Sequence, residues 1–268
     1  MTESTTSAAD PVSAATLIHR YNLRDYGGYP ARGGTRLKRG VLLRSGQLDE
    51  CGLPEAGLLE RLGVSAIVDL RGPGEVPENT SPAYEGWTGT KLFATSEDHL
   101  VPHAMRELAE VTTTEGVVRH MASVYRKLPF SERFRESIRN YVAALDSVGS
   151  DGSASLVHCF AGKDRTGIAV ALFHLLAGVH RDDVFADYLM TNAMGEDRIA
   201  LGLPHLLRRA NGRAPEWLLR EVMAARAEYL EAALDEFALR SGGPTGYLAD
   251  ATGHSPAKLA EIAGRLLD

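Results

Sequence analysis

The sequence predicts an α/β fold: a central, mostly parallel twisted sheet with helices on both faces, plus a C-terminal helical extension. Three observations carry this. Short apolar runs of strand character alternate with stretches of helical spacing in the first part of the chain. The long apolar run Ile168 to Ala177, suited to a buried helix, follows closely on the run Ala154 to Val157. Beyond Leu156 no stretch reads as a convincing strand. At 268 residues, 44% hydrophobic and 24% charged, the chain can bury a substantial core. Residues 16–268 are expected to form a single domain behind a disordered leader, Met1 to Ala15, rich in Thr, Ser and Ala.

In order along the chain, 41–44 and 64–70 read as short buried strands. Pro54 to Leu62 between them has helical spacing, with the proline near the first turn, where a missing donor does no harm. Thr90 to Ala94 suits a further strand, and Thr95 to Glu115 is polar without a clear type. Helices are expected at Val117 to Lys127 and at Glu132 to Leu145, the second capped by Ser131. The strand at 154–157 and the helix at 168–177 come next. Arg181 to Thr191, Pro215 to Arg240 and Pro256 to Leu267, rich in Ala, Leu, Glu and Arg, form the helical extension. Within it, residues 195–240 either fold over the site as a lid or pack against the sheet, and Gly202, Pro204 and Gly212 would supply bends.

The turn between that strand and helix holds His158-Cys159-Phe160-Ala161-Gly162-Lys163-Asp164-Arg165-Thr166-Gly167. The first N–H groups of a helix lack internal partners and sit at the positive end of its dipole, so the turn suits an anion, phosphate above all. The amides of Phe160, Ala161, Gly162, Lys163 and Asp164 can curl around one tetrahedral oxyanion, and the planar fork of Arg165 matches two of its oxygens. Cys159, under that anion, is placed to be a thiolate nucleophile. Gly162 permits backbone angles closed to other residues, and Gly167 permits close helix packing. Thr166 can hydrogen-bond the sulfur, and His158 reads as a supporting group near the cysteine.

This ten-residue string resembles the signature loop of the protein tyrosine phosphatase superfamily, whose members pass through a phosphocysteine intermediate. Lys163 and Asp164 within it, Asn22 to Tyr29, Arg44-Ser45 and Val68-Asp69-Leu70-Arg71 are similar to the bacterial atypical tyrosine and dual-specificity branch, that of the mycobacterial B-type enzymes. The resemblance implies hydrolysis of phosphotyrosine, with phosphoserine, phosphothreonine or phosphoinositides as further substrates. It implies no cofactor.

The leaving oxygen needs a proton donor, in this superfamily usually an aspartate on a separate loop. Here the carboxylates after the third strand arrive late, at Glu97 and Asp98. Asp98 is the first candidate and Asp164 the second, followed by Glu97 and Asp69. Asp69 and Arg71 equally suit a structural role in orienting the loop, and Asp25 suits local backbone capping. Three other readings stay open: a lipid phosphatase in which Lys163 meets further phosphates of an inositol ring, a rhodanese-like sulfurtransferase, and a catalytically silent phosphate-binding module.

Composition narrows the rest. A formal charge of −6 argues against nonspecific nucleic-acid binding. Cys51 and Cys159 form no disulfide framework, and a reactive thiol fits a reducing compartment, so a cytoplasmic location is expected, with export by a route that leaves no signal peptide still open. The longest apolar run is too short to span a bilayer. His99 and His103 lack an apparent third ligand, so no metal is expected, and Gly27-Gly28 and Gly33-Gly34 read as turns. The partner is a phosphorylated protein or a phosphoinositide; oligomeric state is not readable.

Overall fold

A computed structural model describes residues 21–48, 57–76, 82–96, 107–108, 110–149 and 152–268. The leader, Cys51, Glu97, Asp98, His99 and His103 lie outside the described residues.

Five strands, β1 (Arg24–Asp25), β2 (Leu42–Ser45), β3 (Val64–Asp69), β4 (Thr90–Phe93) and β5 (Ala154–His158), form one sheet in the order β1-β2-β5-β3-β4. β2, β5, β3 and β4 run parallel, and β1 adds an antiparallel edge. The strands at 42–45 and 64–69 fall within a residue or so of their expected bounds. β1 was not foreseen, because two residues carry no periodicity.

Period two along each central strand divides the core between the two faces. Leu42, Val68 and Val157 join one apolar cluster; Leu43, Ile67 and Leu156 join the other. The larger cluster is covered by α2 (Thr114–Lys127), α3 (Glu132–Ser147) and α4 (Asp164–Ala177). The smaller one is covered by α1 (Leu58–Arg61) and a 3-10 turn at Pro82–Tyr84. Ser131 caps α3 as expected, its hydroxyl accepting from Phe134 N at 3.3 Å. α4 is buried nearly all round, which its unbroken apolar run requires.

The helical extension comprises α5 (Arg181–Leu189), α6 (Gly195–Ala210), α7 (Glu216–Met223), α8 (Ala227–Ser241), α9 (Pro244–Thr252) and α10 (Pro256–Arg265). Two expectations are corrected, and for part of a third segment the packing alternative fits. Pro215 to Arg240 is two helices, broken where Ala224 turns extended (φ −68, ψ 138). Gly202 and Pro204 lie inside α6 and are not loop bends; Leu203 is buried, and packing of that face overrides weak local propensity. α8 buries Tyr229, Leu230, Ala233 and Phe237 and packs along α2, so the portion after 226 belongs to the core and not to a cover over the site. Among the described residues no helix is long and apolar enough to cross a membrane.

Candidate active site

The strand ends build the floor of the site. Register places Ser45 of β2 and Asp69 of β3 on either side of His158, the last residue of β5. The chain then turns through Cys159 to Lys163 and enters α4 at Asp164.

The loop is shaped from outside by its carbonyls. Phe160 O accepts from Gln47 N at 2.9 Å, and Gly162 O accepts from Asn22 Nδ2 and from an Arg44 guanidinium N–H, each at 2.9 Å. Ala161 O lies 3.3 Å from the same Asn22 amide. No peptide bond is cis. In a planar trans peptide the N–H points opposite to the C=O, so anchoring these three carbonyls outward turns the amides of Ala161, Gly162 and Lys163 the other way, into a common concavity. Gly162 is obligatory: its φ is +64, and a Cβ there would stand 2.5 Å from Ser45 O. At Gly167 a Cβ would stand 2.7 Å from the Tyr188 ring.

Behind these anchors is a buried charged cluster. Asp187 accepts from Arg24 Nε at 3.2 Å and from Arg44, and Arg24 also binds Asp187 O at 2.8 Å and the Asn22 side chain. Burial alone would raise the Asp187 carboxyl, but Arg44 and Arg24 hold it at about 2, so it stays charged. The Asn22 to Asp25 motif therefore belongs to loop support. Asp25 accepts from Gly27 N at 2.7 Å and Gly40 N at 2.8 Å, the capping role expected of it.

A second support runs through Asp69. Its carboxylate takes Arg71 Nε at 2.9 Å and a second Arg71 N–H at 2.7 Å, with Lys91 Nζ at 3.3 Å and His158 Nε2 at 3.6 Å. Burial would raise it, yet His158, Arg71 and Lys91 together keep it far below the usual carboxylate range. An acid so firmly ionised cannot donate a proton at neutral pH, which removes Asp69 from the candidate donors. Arg71 also reaches Gln47 Oε1 at 3.3 Å, and Gln47 N holds Phe160 O, so Asp69, Arg71 and His158 sit beneath the loop as supports.

Arg165 is fixed by a residue that the sequence reading missed. Glu75, on a 3-10 turn (Pro73–Glu75) after β3, meets the guanidinium with both oxygens, at 2.6 and 3.0 Å, while Leu70 O accepts at 3.1 Å. Burial disfavours the charge, but Glu75 and then Cys159 raise the Arg165 pKa above its ordinary value. Glu75 also accepts from Gly72 N at 2.9 Å, closing a capping turn whose signal is the glutamate three residues after Gly72.

The remaining loop side chains face the helical extension. Asp164 Oδ1 accepts from Tyr125 OH at 2.7 Å and lies 3.2 Å from Lys163 Nζ; Tyr125 in turn meets Tyr188 OH at 2.7 Å. Burial, then Asp164 and Tyr188, push the Tyr125 hydroxyl pKa well up, so it is a permanent donor. The Lys163 ammonium is buried against Val222 O and Ala224 O at the end of α7, with the Tyr229 ring 5.6 Å away. Its backbone amide was expected in the anion cradle, with the ammonium reaching further phosphates only in the lipid-phosphatase reading; the residue also lines the cavity around Cys159. Thr166 is buried and its hydroxyl makes no hydrogen bond among the described residues, so the expected bond to sulfur is not made. Its rotamer is governed by the first turn of α4.

Cys159, 2% exposed, lies in a cavity of about 160 Å³. Arg165, Glu75 and Asp164 supply polar walls, Met121, Val124 and Leu128 line one side, and Leu206 of α6 with Val222 and Met223 of α7 line the other. Of the segment 195–240, then, Leu206 of α6 and Val222 and Met223 at the end of α7 border the cavity. Among the described residues no group of three or more His, Cys, Asp or Glu is placed to hold a metal ion.

The sequence comparisons place the chain in a family. Residues 16–268 match the family model described as the tyrosine phosphatase family. The triple specificity protein phosphatase PtpB of Mycobacterium tuberculosis is 32% identical over 279 aligned positions, covering 92% of this chain and 96% of that protein. A Cupriavidus necator protein, provisionally named a tyrosine-protein phosphatase, is 30% identical over 233, covering 86% of this chain and 81% of its own. With the match spanning nearly the whole sequence, the chain belongs to the tyrosine phosphatase family.

Proposed function

We propose that this phosphatase hydrolyses phosphotyrosine through a phosphocysteine intermediate on Cys159. The observation that carries the reading is the conjunction of Cys159 at the cavity floor, three loop carbonyls tied outward, and Arg165 locked flat by Glu75.

In the first step the Cys159 sulfur attacks phosphorus in line with the ester oxygen; the S–P bond forms and the P–O bond breaks. The inward amides and Arg165 hold the equatorial oxygens, whose charge they stabilise most in the transition state. The departing oxygen takes a proton from a carboxylic acid. Of the two described carboxylates lining the cavity, Glu75 is committed to Arg165, which leaves Asp164, beside the phosphate loop and oriented by Tyr125. Asp98 is the other candidate from the sequence. In the second step water attacks phosphorus, gives its proton to the carboxylate, and the S–P bond breaks to release phosphate and the thiolate.

Apolar walls favour an aromatic alcohol over an inositol carrying several phosphates, and the Lys163 ammonium, which a lipid phosphatase would need for a second phosphate, faces α7 instead. The Mycobacterium tuberculosis relative is named for triple specificity, which supports testing a broad range of substrates. Cys159→Ser is expected to lower turnover of p-nitrophenyl phosphate by at least ~10³-fold; near-wild-type turnover would sink the covalent mechanism. A panel of phosphotyrosine, phosphoserine and phosphothreonine peptides and phosphoinositides, run on wild type, Asp164→Ala and Asp98→Ala, assigns substrate class and proton donor together.

A further inference from the structure

We infer that Lys163 is a positioning residue that fastens the roof of the cavity onto the phosphate loop, so that its side chain sets access to Cys159 and does not bind substrate phosphate. The inference rests on the assignment of Cys159 as the nucleophile of this site.

The chemistry of the contact supports a fastening. Lys163 is 1% exposed, and three acceptors face its ammonium: Val222 O, Ala224 O at 3.2 Å and Asp164 Oδ1 at 3.2 Å. The last carbonyls of a helix lack internal donors and carry the negative end of its dipole, so the end of α7 is a natural acceptor for a cation. α7 stops there, where Ala224 is extended. Asn192 pairs with Ala225 through both backbone groups, each at 2.8 Å, on the side away from the loop. Lys163 grips the same segment from the loop side, one residue before Asp164 and two before Arg165. The residues it grips are those that close the cavity, since Val222 and Met223 are both in its wall. α6 adds a lighter contact, His205 against the Phe160 ring with centroids 4.3 Å apart. A charge-assisted grip at a helix end, joining a fixed loop to a roof also tied through Asn192, holds the roof shut.

The test is the rate at which neutral iodoacetamide alkylates Cys159, read by mass spectrometry on the full-length protein. Losing the charged hydrogen bonds in Lys163→Met is expected to raise that rate about tenfold or more by populating an open roof. Lys163→Gln, whose amide can still donate to Val222 O, should fall between the two. The direction is diagnostic, because a lysine that acted only through its charge on Cys159 would, when removed, leave less thiolate and slow alkylation. With p-nitrophenyl phosphate the KM should rise in Lys163→Met, whatever kcat does once Asp164 loses its cationic neighbour. Alkylation unchanged or slower in both variants, or kcat falling with KM constant, overturns the proposal and returns Lys163 to the anion site. Should Lys163→Met fail to fold, Lys163→Gln decides by the same readout. Alkylation needs no turnover, so its outcome is independent of the Cys159→Ser result that tests the covalent mechanism.

Discussion

The two flanks of the phosphate loop are held by different physics. On the sheet side, Asn22, Arg24, Arg44 and Asp187 form a buried network of charge-assisted bonds that reaches the loop at Gly162 O, and Asp69 with Arg71 reaches it through Gln47. On the roof side the contacts include one lysine, the Asn192–Ala225 pair, one ring pair and apolar packing. Breaking a buried charge network leaves a charge without a partner, whereas peeling back apolar packing exposes a modest area to water. The catalytic geometry is thus fixed from below by groups too costly to release, and covered from above by groups that can part.

The sharpest way to break this contrast is at Asp187. Asp187→Asn removes the charge that pairs two buried arginines and should cost about 3–5 kcal/mol, with loop geometry and activity failing together; a chemical denaturation curve within about 1 kcal/mol of wild type would show the cluster to be dispensable. Its acid limb carries a second signature. Asp187 is held at about 2, below its ordinary value of 3.8, so its contribution is present above pH 4 and is lost as pH falls from 4 toward 2. Asn should flatten that part of the stability profile.

A smaller effect is expected at Glu75, which orients Arg165 and whose structural part is confined to one short 3-10 turn. Glu75→Gln keeps the shape and loses the charge, and should lower kcat by about 10–10² with little change in thermal midpoint. Equal loss of stability and activity would place Glu75 with the structural network. The smallest belongs to the roof: His205→Ala removes the ring against Phe160 and should shift stability by no more than about 1 kcal/mol and kcat by less than threefold. A loss as large as that of Asp187→Asn would erase the distinction between the flanks.

What the sequence shows of this site follows from how locally each part is encoded. The loop and its flanks were legible because one strand, ten residues and one helix carry the whole pattern, with Gly162 and Gly167 occupying the crowded positions that their spacing implied. Alternating apolar runs likewise revealed β2, β3 and β5. Asp187 and the role of Glu75 on Arg165 were not legible, because each acts through a partner 90 or more residues distant; the only local signal, the glutamate three residues after Gly72, marks a turn and not that role. The ammonium contacts of Lys163 were not legible for a related reason: its neighbours in sequence belong to the anion site, while its ammonium meets the end of α7. Asp98, the first candidate for the proton, lies outside the described residues.

The clasp between Arg24 and Asp187 spans 163 positions. Contacts of such sequence separation close large loops and form late, after local helices and adjacent strands. A ribosome-bound chain emerging from its amino terminus would therefore carry the cysteine and arginine of the signature well before the residues that mould their loop have met. A fragment ending ahead of Asp187 would hold the complete signature and its direct anchors without the carboxylate that pairs Arg24 and Arg44 behind them.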